Sequence, residues 1–132
     1  MDLSHFVDPL SQQSLAKAHD TRSGWLGAHI HLHSSDSSPM AQSGDLVLLG
    51  IKSSPEDDTP DWIRHYLYDL KAEPSACRII DAGDICFNKY HCVELESLQT
   101  IFEHLIAKNA CVVVLGGGQE VTYLQYLAAA SQ

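Results

Sequence analysis

Three segments of the chain carry residue types able to do chemistry. The sharpest is Gly116-Gly117-Gly118-Gln119-Glu120, which follows the apolar run Cys111 to Leu115 (CVVVL). A strand, three glycines and a helix start place free backbone N–H groups at the carboxyl end of a parallel sheet, where open α/β folds bind ligands. The spacing is neither G-x-G-x-x-G nor a P-loop, since no Gly-Lys-Ser/Thr follows, so a tight turn needing positive φ competes with a phosphate cradle. Gly116, Gly117, Gly118, Gln119 and Glu120 are the candidate ligand-binding residues.

His29, His31 and His33 alternate with Ala28, Ile30 and Leu32, and three imidazoles on one strand face are candidate ligands for Zn, Ni or Cu. Same-face positions lie about 6.5–7 Å apart along a strand, which is long for one ion, so a solvated polar face is the competing account. Asp81 and Asp84 flank Gly83 at a strand end, where carboxylates enter a pocket at the edge that holds the glycine turn, or simply cap a turn. Cys86, His91 and Cys92 match no zinc spacing. No Ser-His-Asp or Cys-His arrangement can be assigned, and His65 and His104 read as solvent-facing.

The elements that must position these residues follow from periodicity. Residues 1–24 are polar, with a weak helical segment around Ser11 to Ala18, and read as an N-terminal arm. Leu26 to His33 has the period of two of a half-buried strand, and the serine-rich Ser34 to Ser43 is a loop. Asp45 to Ile51 (DLVLLGI) is the apolar run of a central strand covered on both faces. Asp58-Thr59-Pro60-Asp61 starts a helix to about Leu70, whose stripe Trp62, Ile63, Tyr66, Leu67 and Leu70 is expected to be buried. Cys77 to Asp81 is a short strand, Val93 to Asn109 a helix with the stripe Leu98, Ile101, Phe102 and Leu105, CVVVL a strand, and Gln119 to Ala130 a last helix. This alternation predicts an α/β fold with right-handed βαβ units, three layers and a mainly parallel sheet over residues 25–132. CVVVL calls for neighbours on both edges, so the N-terminal strand, a second chain in a homo-oligomer or a missing C-terminal half is expected to cover it.

Composition narrows the classes. Of 132 residues, 45% are hydrophobic and 19% charged, which is globular rather than disordered. The formal charge of −9, with no basic stripe, argues against nucleic acid as a partner. No apolar run of about 18 residues predicts a membrane span, and the start lacks a secretory signal, so a cytoplasmic location is expected. The four cysteines form no C-x-x-C pair and are expected to stay reduced.

The order DLVLLGI, PDWIRHYLYDL, RIIDAGDI, SLQTIFEHLIAKNA, VVVLGGGQEVTYLQYLA resembles the front half of the ureohydrolase family of arginases, agmatinases and formimidoylglutamases. The resemblance rests on Ile63-Arg64, Asp81-x-Gly83-Asp84 and the glycine turn in this order, and is nearest to divergent bacterial formimidoylglutamase-like members. It implies a three-layer fold and, in active members, two Mn²⁺ ions that generate hydroxide for attack on a guanidine or amidine carbon. In those members the glycine turn is followed by a metal-binding His, where this chain has Gln119. The family's other ligands match no position here, so no cofactor is expected for this chain alone. Lys52 to Asp58 also departs from the family's glycine-rich substrate loop. The expectation is a catalytically silent fragment or shortened member that binds or assembles. The alternative is a metal-dependent hydrolase of a formimidoyl or guanidino amino acid, completed by further sequence or another chain.

Overall fold

The computed structural model describes residues 5–73, 77–87 and 95–132. Helix α1 (Gln12–Asp20) and a 3-10 turn (Leu26–Ala28) lead to strand β1 (His31–Leu32), followed by β2 (Leu46–Lys52), α2 (Thr59–Leu67), β3 (Ile79–Cys86), α3 (Leu95–Ala107), β4 (Cys111–Gly116) and α4 (Gln119–Ala130). The sheet runs β1-β3-β2-β4, and every pairing of these strands is parallel.

The connection from β2 to β3 moves one way across this sheet, and that from β3 to β4 moves back past β2. Right-handed crossovers therefore set α2 and α3 on opposite faces. Core packing agrees. Val47, Leu49 and Ile51 of β2 pack with Leu98, Ile101, Phe102 and Leu105 of α3 and with Val121, Leu124 and Ala128 of α4. Leu48, on the other face, packs with Tyr68 and with Ala18 of α1. The fold is a three-layer α/β/α arrangement with β2 at its centre, as its two apolar faces require.

The structure departs from the sequence pattern in five places. Leu26 to His33 is not one strand: three residues form the 3-10 turn and two form β1. Strand β3 runs on past Asp81 to Cys86 because a bulge absorbs Ala82 and Gly83. Helix α2 buries Asp61, Arg64 and, just beyond its end, Tyr68, while Trp62, Tyr66 and Leu70 of the expected stripe are exposed. The polar arm is packed, with Val7, Leu10, Ser14 and Ala18 buried. Cys86 is disulfide-bonded, against the expectation of four reduced cysteines, whereas Cys111 stands outside any disulfide. Pairing depends on distance between Cα atoms rather than on spacing in sequence. The start expected for the second helix, Val93, falls outside the described residues, as do His91 and Cys92.

The bulge decides where the carboxylates go. In a regular strand, residues three apart point to opposite faces. Here Leu48 pairs with Asp81 and Gly50 with Asp84, so β3 spends one more residue than β2, and Gly83 takes φ +98° to do so. Asp81 and Asp84 thereby both face α2. Gly50 leaves room for them, since a Cβ there would overlap Asp84 Oδ1 and lie 2.9 Å from Pro60 Cβ and 3.0 Å from Arg64 Nη2. Gly50→Ala is accordingly expected to destabilise the fold by about 1–3 kcal/mol through overpacking, read as a lower urea midpoint at unchanged slope.

Candidate functional site

Arg64 has a fully buried side chain whose donors face three carboxylates. Its Nε and Nη2 donate to Asp81 Oδ2 and Oδ1 at 2.8 and 2.9 Å, a bidentate pair. Nη1 donates to Asp84 Oδ1 at 2.7 Å, and Nη2 also donates to the Gly83 carbonyl at 3.0 Å. Nη1 lies 3.8 Å from Asp61 Oδ1, which accepts from Ser11 Oγ at 2.8 Å and Ser14 Oγ at 2.7 Å. Tyr68 completes the cluster by donating its hydroxyl to Asp81 Oδ2 at 2.5 Å.

Local rules explain how the sequence builds this. On α2, Asp61, Arg64 and Tyr68 are spaced at three and four residues and share one face. The N-terminal segment locks across the bulge: Asp8 N–H donates to Asp84 O at 2.8 Å and Asp84 N–H to Asp8 O at 3.0 Å. Ser11 then caps α1 by accepting from Ser14 N–H.

Burial alone pulls the Arg64 pKa down, but the charges of Asp81 and Asp84 and the Asp81 hydrogen bonds outweigh it and raise it. Burial, reinforced by Asp81, pushes the Tyr68 phenol up, so it stays a donor. Burial also raises the Asp84 carboxyl, against the pull of Arg64. One guanidinium therefore serves a cluster in which Asp84 holds its proton to higher pH than an ordinary carboxylate. Arg64, Asp81 and Tyr68 are bonded to one another and Arg64 also holds Asp84 Oδ1, an arrangement that suits positioning rather than proton transfer to a substrate.

The glycine turn lies above, at the carboxyl ends of β2 and β4. Gly116 and Gly117 adopt φ +88° and +83°, and Gly118 is the N-cap of α4. A Cβ on Gly116 would come within 2.8 Å of Ile51 O, so the turn is tight for a structural reason. Gln119 and Glu120 are exposed. The Glu120 carboxylate curls back to the start of its helix, where a Cβ on Gly118 would lie 2.6 Å from Oε2. A negative charge already occupies the position an incoming anion would take. Nearby, at the start of α2, Asp57 accepts from Ser53 N–H at 2.9 Å and from Thr59 Oγ1 at 2.6 Å, and the Ser53 bond, the largest effect, holds its pKa well below the usual carboxylate range. This end of the sheet therefore disfavours phosphate.

The histidines do not converge. His29 Nε2 bonds to Ser23 O. His33 is buried and donates Nδ1–H to Ala82 O at 2.8 Å. His31 is exposed, and it joins His29, Glu73, Cys77 and Arg78 in lining a cleft of about 460 Å³. That cleft lies at the amino ends of β1 and β3, opposite the glycine turn. Among the described residues, no group of three or more His, Cys, Asp or Glu is placed to hold a metal ion. The expectation that His104 faces solvent also needs correction, since its Nε2 is buried without a hydrogen-bond partner among the described residues, and burial lowers its pKa.

Arg64 as the organising residue is not visible in the sequence, because its role requires the bulge. The only signal was Ile63-Arg64 preceding Asp81-x-Gly83-Asp84. Comparison with family models, curated proteins and solved structures finds no match for this chain. Arg64→Met, which strands the carboxylates in the interior, is expected to cost about 3–5 kcal/mol at neutral pH. Without the cation the Asp84 carboxyl, already raised by burial, loses the opposing pull of Arg64 and rises further above its unfolded value, so stability returns as pH falls toward the ordinary carboxylate range and is lost as pH rises. Urea unfolding from pH 4 to 8 checks the sign: a variant that weakens toward low pH would show that Arg64 does not neutralise the cluster.

Proposed function

We propose that this chain is an arginase-like α/β protein whose role is binding or assembly rather than hydrolysis. The observation that carries the reading is the commitment of Asp81 and Asp84 to Arg64, which ties the two carboxylates that β3 turns towards α2 into a buried ion pair instead of leaving them for ligation and base chemistry. The residues present do not fit a Mn²⁺ pair: Gln119 offers a neutral amide where a ligand is needed, and the histidines lie elsewhere. A metal pair supplies hydroxide at neutral pH, and no other group of the cluster is poised to activate water.

The assembly side of the reading is supported by β4, which among the described residues pairs with β2 alone, β1 lying beside β3 instead. No helix among the described residues is long and apolar enough to cross a membrane, and the acidic charge supports a partner that is not a nucleic acid. Cytoplasmic location belongs to the same reading and is supported by Cys111, which stands outside disulfides. The bonded Cys86 weighs against it. Thiol titration of denatured protein isolated without reductant separates the two: all four cysteines react in the cytoplasmic case, and fewer react otherwise.

The function is tested by adding Mn²⁺ and either arginine, agmatine or formimidoylglutamate. The expected outcome is no urea or formamide above the blank and no manganese retained on elemental analysis after gel filtration. Turnover with bound manganese would instead establish the alternative, hydrolysis of a guanidino or formimidoyl amino acid.

A further inference from the structure

We propose that the open edge of β4 is a self-association surface on which a second copy of this chain adds its own β4 antiparallel, giving one continuous sheet. This rests on the assembly reading above and names its partner.

The edge itself sets the chemistry. Cys111 N–H donates to Asp45 O on the β2 side, so by the alternation of a parallel ladder Val112 and Val114 aim their N–H and C=O groups outward. Gln125 Nε2 of α4 sits 3.5 Å from Val112 O, which places that flank of α4 along the edge. A row of outward backbone donors and acceptors is matched by another strand edge.

Two observations point to a copy of the same chain. The first is charge. In a chain of net charge −9, identical surfaces repel wherever acids are exposed, yet from Asn109 to Gln132 Glu120 is the one Asp, Glu, Lys or Arg. Apart from Glu120, that segment is uncharged over the whole of β4 and at the exposed Thr122, Tyr126 and Ala129 beside Gln125. Loss of charge with retention of tyrosine is the composition of an interface core, and edges meant to stay open usually carry charge or proline. The second is length. The opposite side of the sheet offers only the two residues of β1, with Asp8 bridged to Asp84 beyond them. A head-to-tail contact would thus set six residues against two, whereas β4 against β4 matches like with like and closes as a two-fold dimer. A register centred on Val113, itself 38% exposed, sets Val112 against Val114 of the copy.

Sedimentation equilibrium of the 132-residue chain is expected to give twice the chain mass. Val113→Lys puts like charges face to face at the two-fold axis on a residue already exposed, and should weaken self-association by at least about tenfold, with partial recovery in high salt. Val114→Pro removes an outward N–H and should act in the same direction. Unchanged melting of monomeric Val113→Lys excludes loss of fold as the cause. A monomeric wild-type chain, a chain that associates only with a different polypeptide, or a dimer indifferent to both substitutions would each overturn the proposal. The Mn²⁺ assay fails or succeeds independently, since it reads turnover and not mass.

Discussion

A guanidinium without access to water must find acceptors for its donors inside the protein, and Arg64 finds them on one strand. Its bidentate pair with Asp81 and its bond to Asp84 fix both the height and the rotation of α2 over the sheet. That demand reaches into neighbouring elements. Strand β2 must carry glycine at position 50, and β3 must bulge at Gly83. Buried ion pairs are weak contributors to net stability, because desolvation offsets most of the Coulomb attraction. Their removal one partner at a time is costly, so the cluster acts chiefly as a register lock: sliding β3 by one residue would leave a charge facing apolar side chains.

The N-terminal segment is drawn in by the same cluster. Asp61 is not within hydrogen-bond distance of Arg64, and its acceptor capacity goes to Ser11 and Ser14 instead. Those hydroxyls bring α1 against α2, and the Asp8 to Asp84 bridge seals β3 beyond the end of β1. A segment that looks dispensable by composition therefore closes one side of the sheet. At the carboxyl ends of β2 and β4 the Glu120 carboxylate turns back to Gly118 and Asp57 is bonded to Ser53 and Thr59, which makes that rim a turn and cap system more than a receptive anion site.

Much of the fold was legible in the sequence because apolar runs and helix signals act locally. The run DLVLLGI marked the central strand, CVVVL a second, Pro60 the first turn of α2, and Leu98, Ile101, Phe102 and Leu105 the buried face of α3, all four fully buried. The stripe on α2 misled for a physical reason. Periodicity assumes that the buried face is the apolar one, and here the side facing the sheet is Asp61, Arg64 and Tyr68, so Trp62 and Tyr66 turn outward. Trp62 still donates its indole N–H to Asp58 Oδ2 and stacks edge-on with His65, satisfying locally what the interior does not take. The three histidines misled likewise, because alternation over eight residues does not reveal that a 3-10 turn occupies the first three, Leu26–Ala28, with His29 capping it. The carboxylate pair was seen, but its common direction depends on a bulge that only the pairing with β2 creates.

The two sides of the sheet pose the same hydrogen-bonding problem and receive different treatment. Beside β3 the outward groups are met in pieces, first by His31 and Leu32 and then by Asp8, and the pieces are pinned by side chains that belong to the Arg64 cluster. That side cannot open without disturbing the buried charges. Beside β4 no such coupling is found among the described residues: Gln125 approaches one carbonyl at the limit of hydrogen-bond length, along a strand with β-branched residues at three successive positions. Rigid closure on one side and an uncharged, extended edge on the other make the molecule asymmetric in what it can accept. Any strand that joins the sheet therefore meets least resistance at β4, where it displaces a single glutamine amide and no charge.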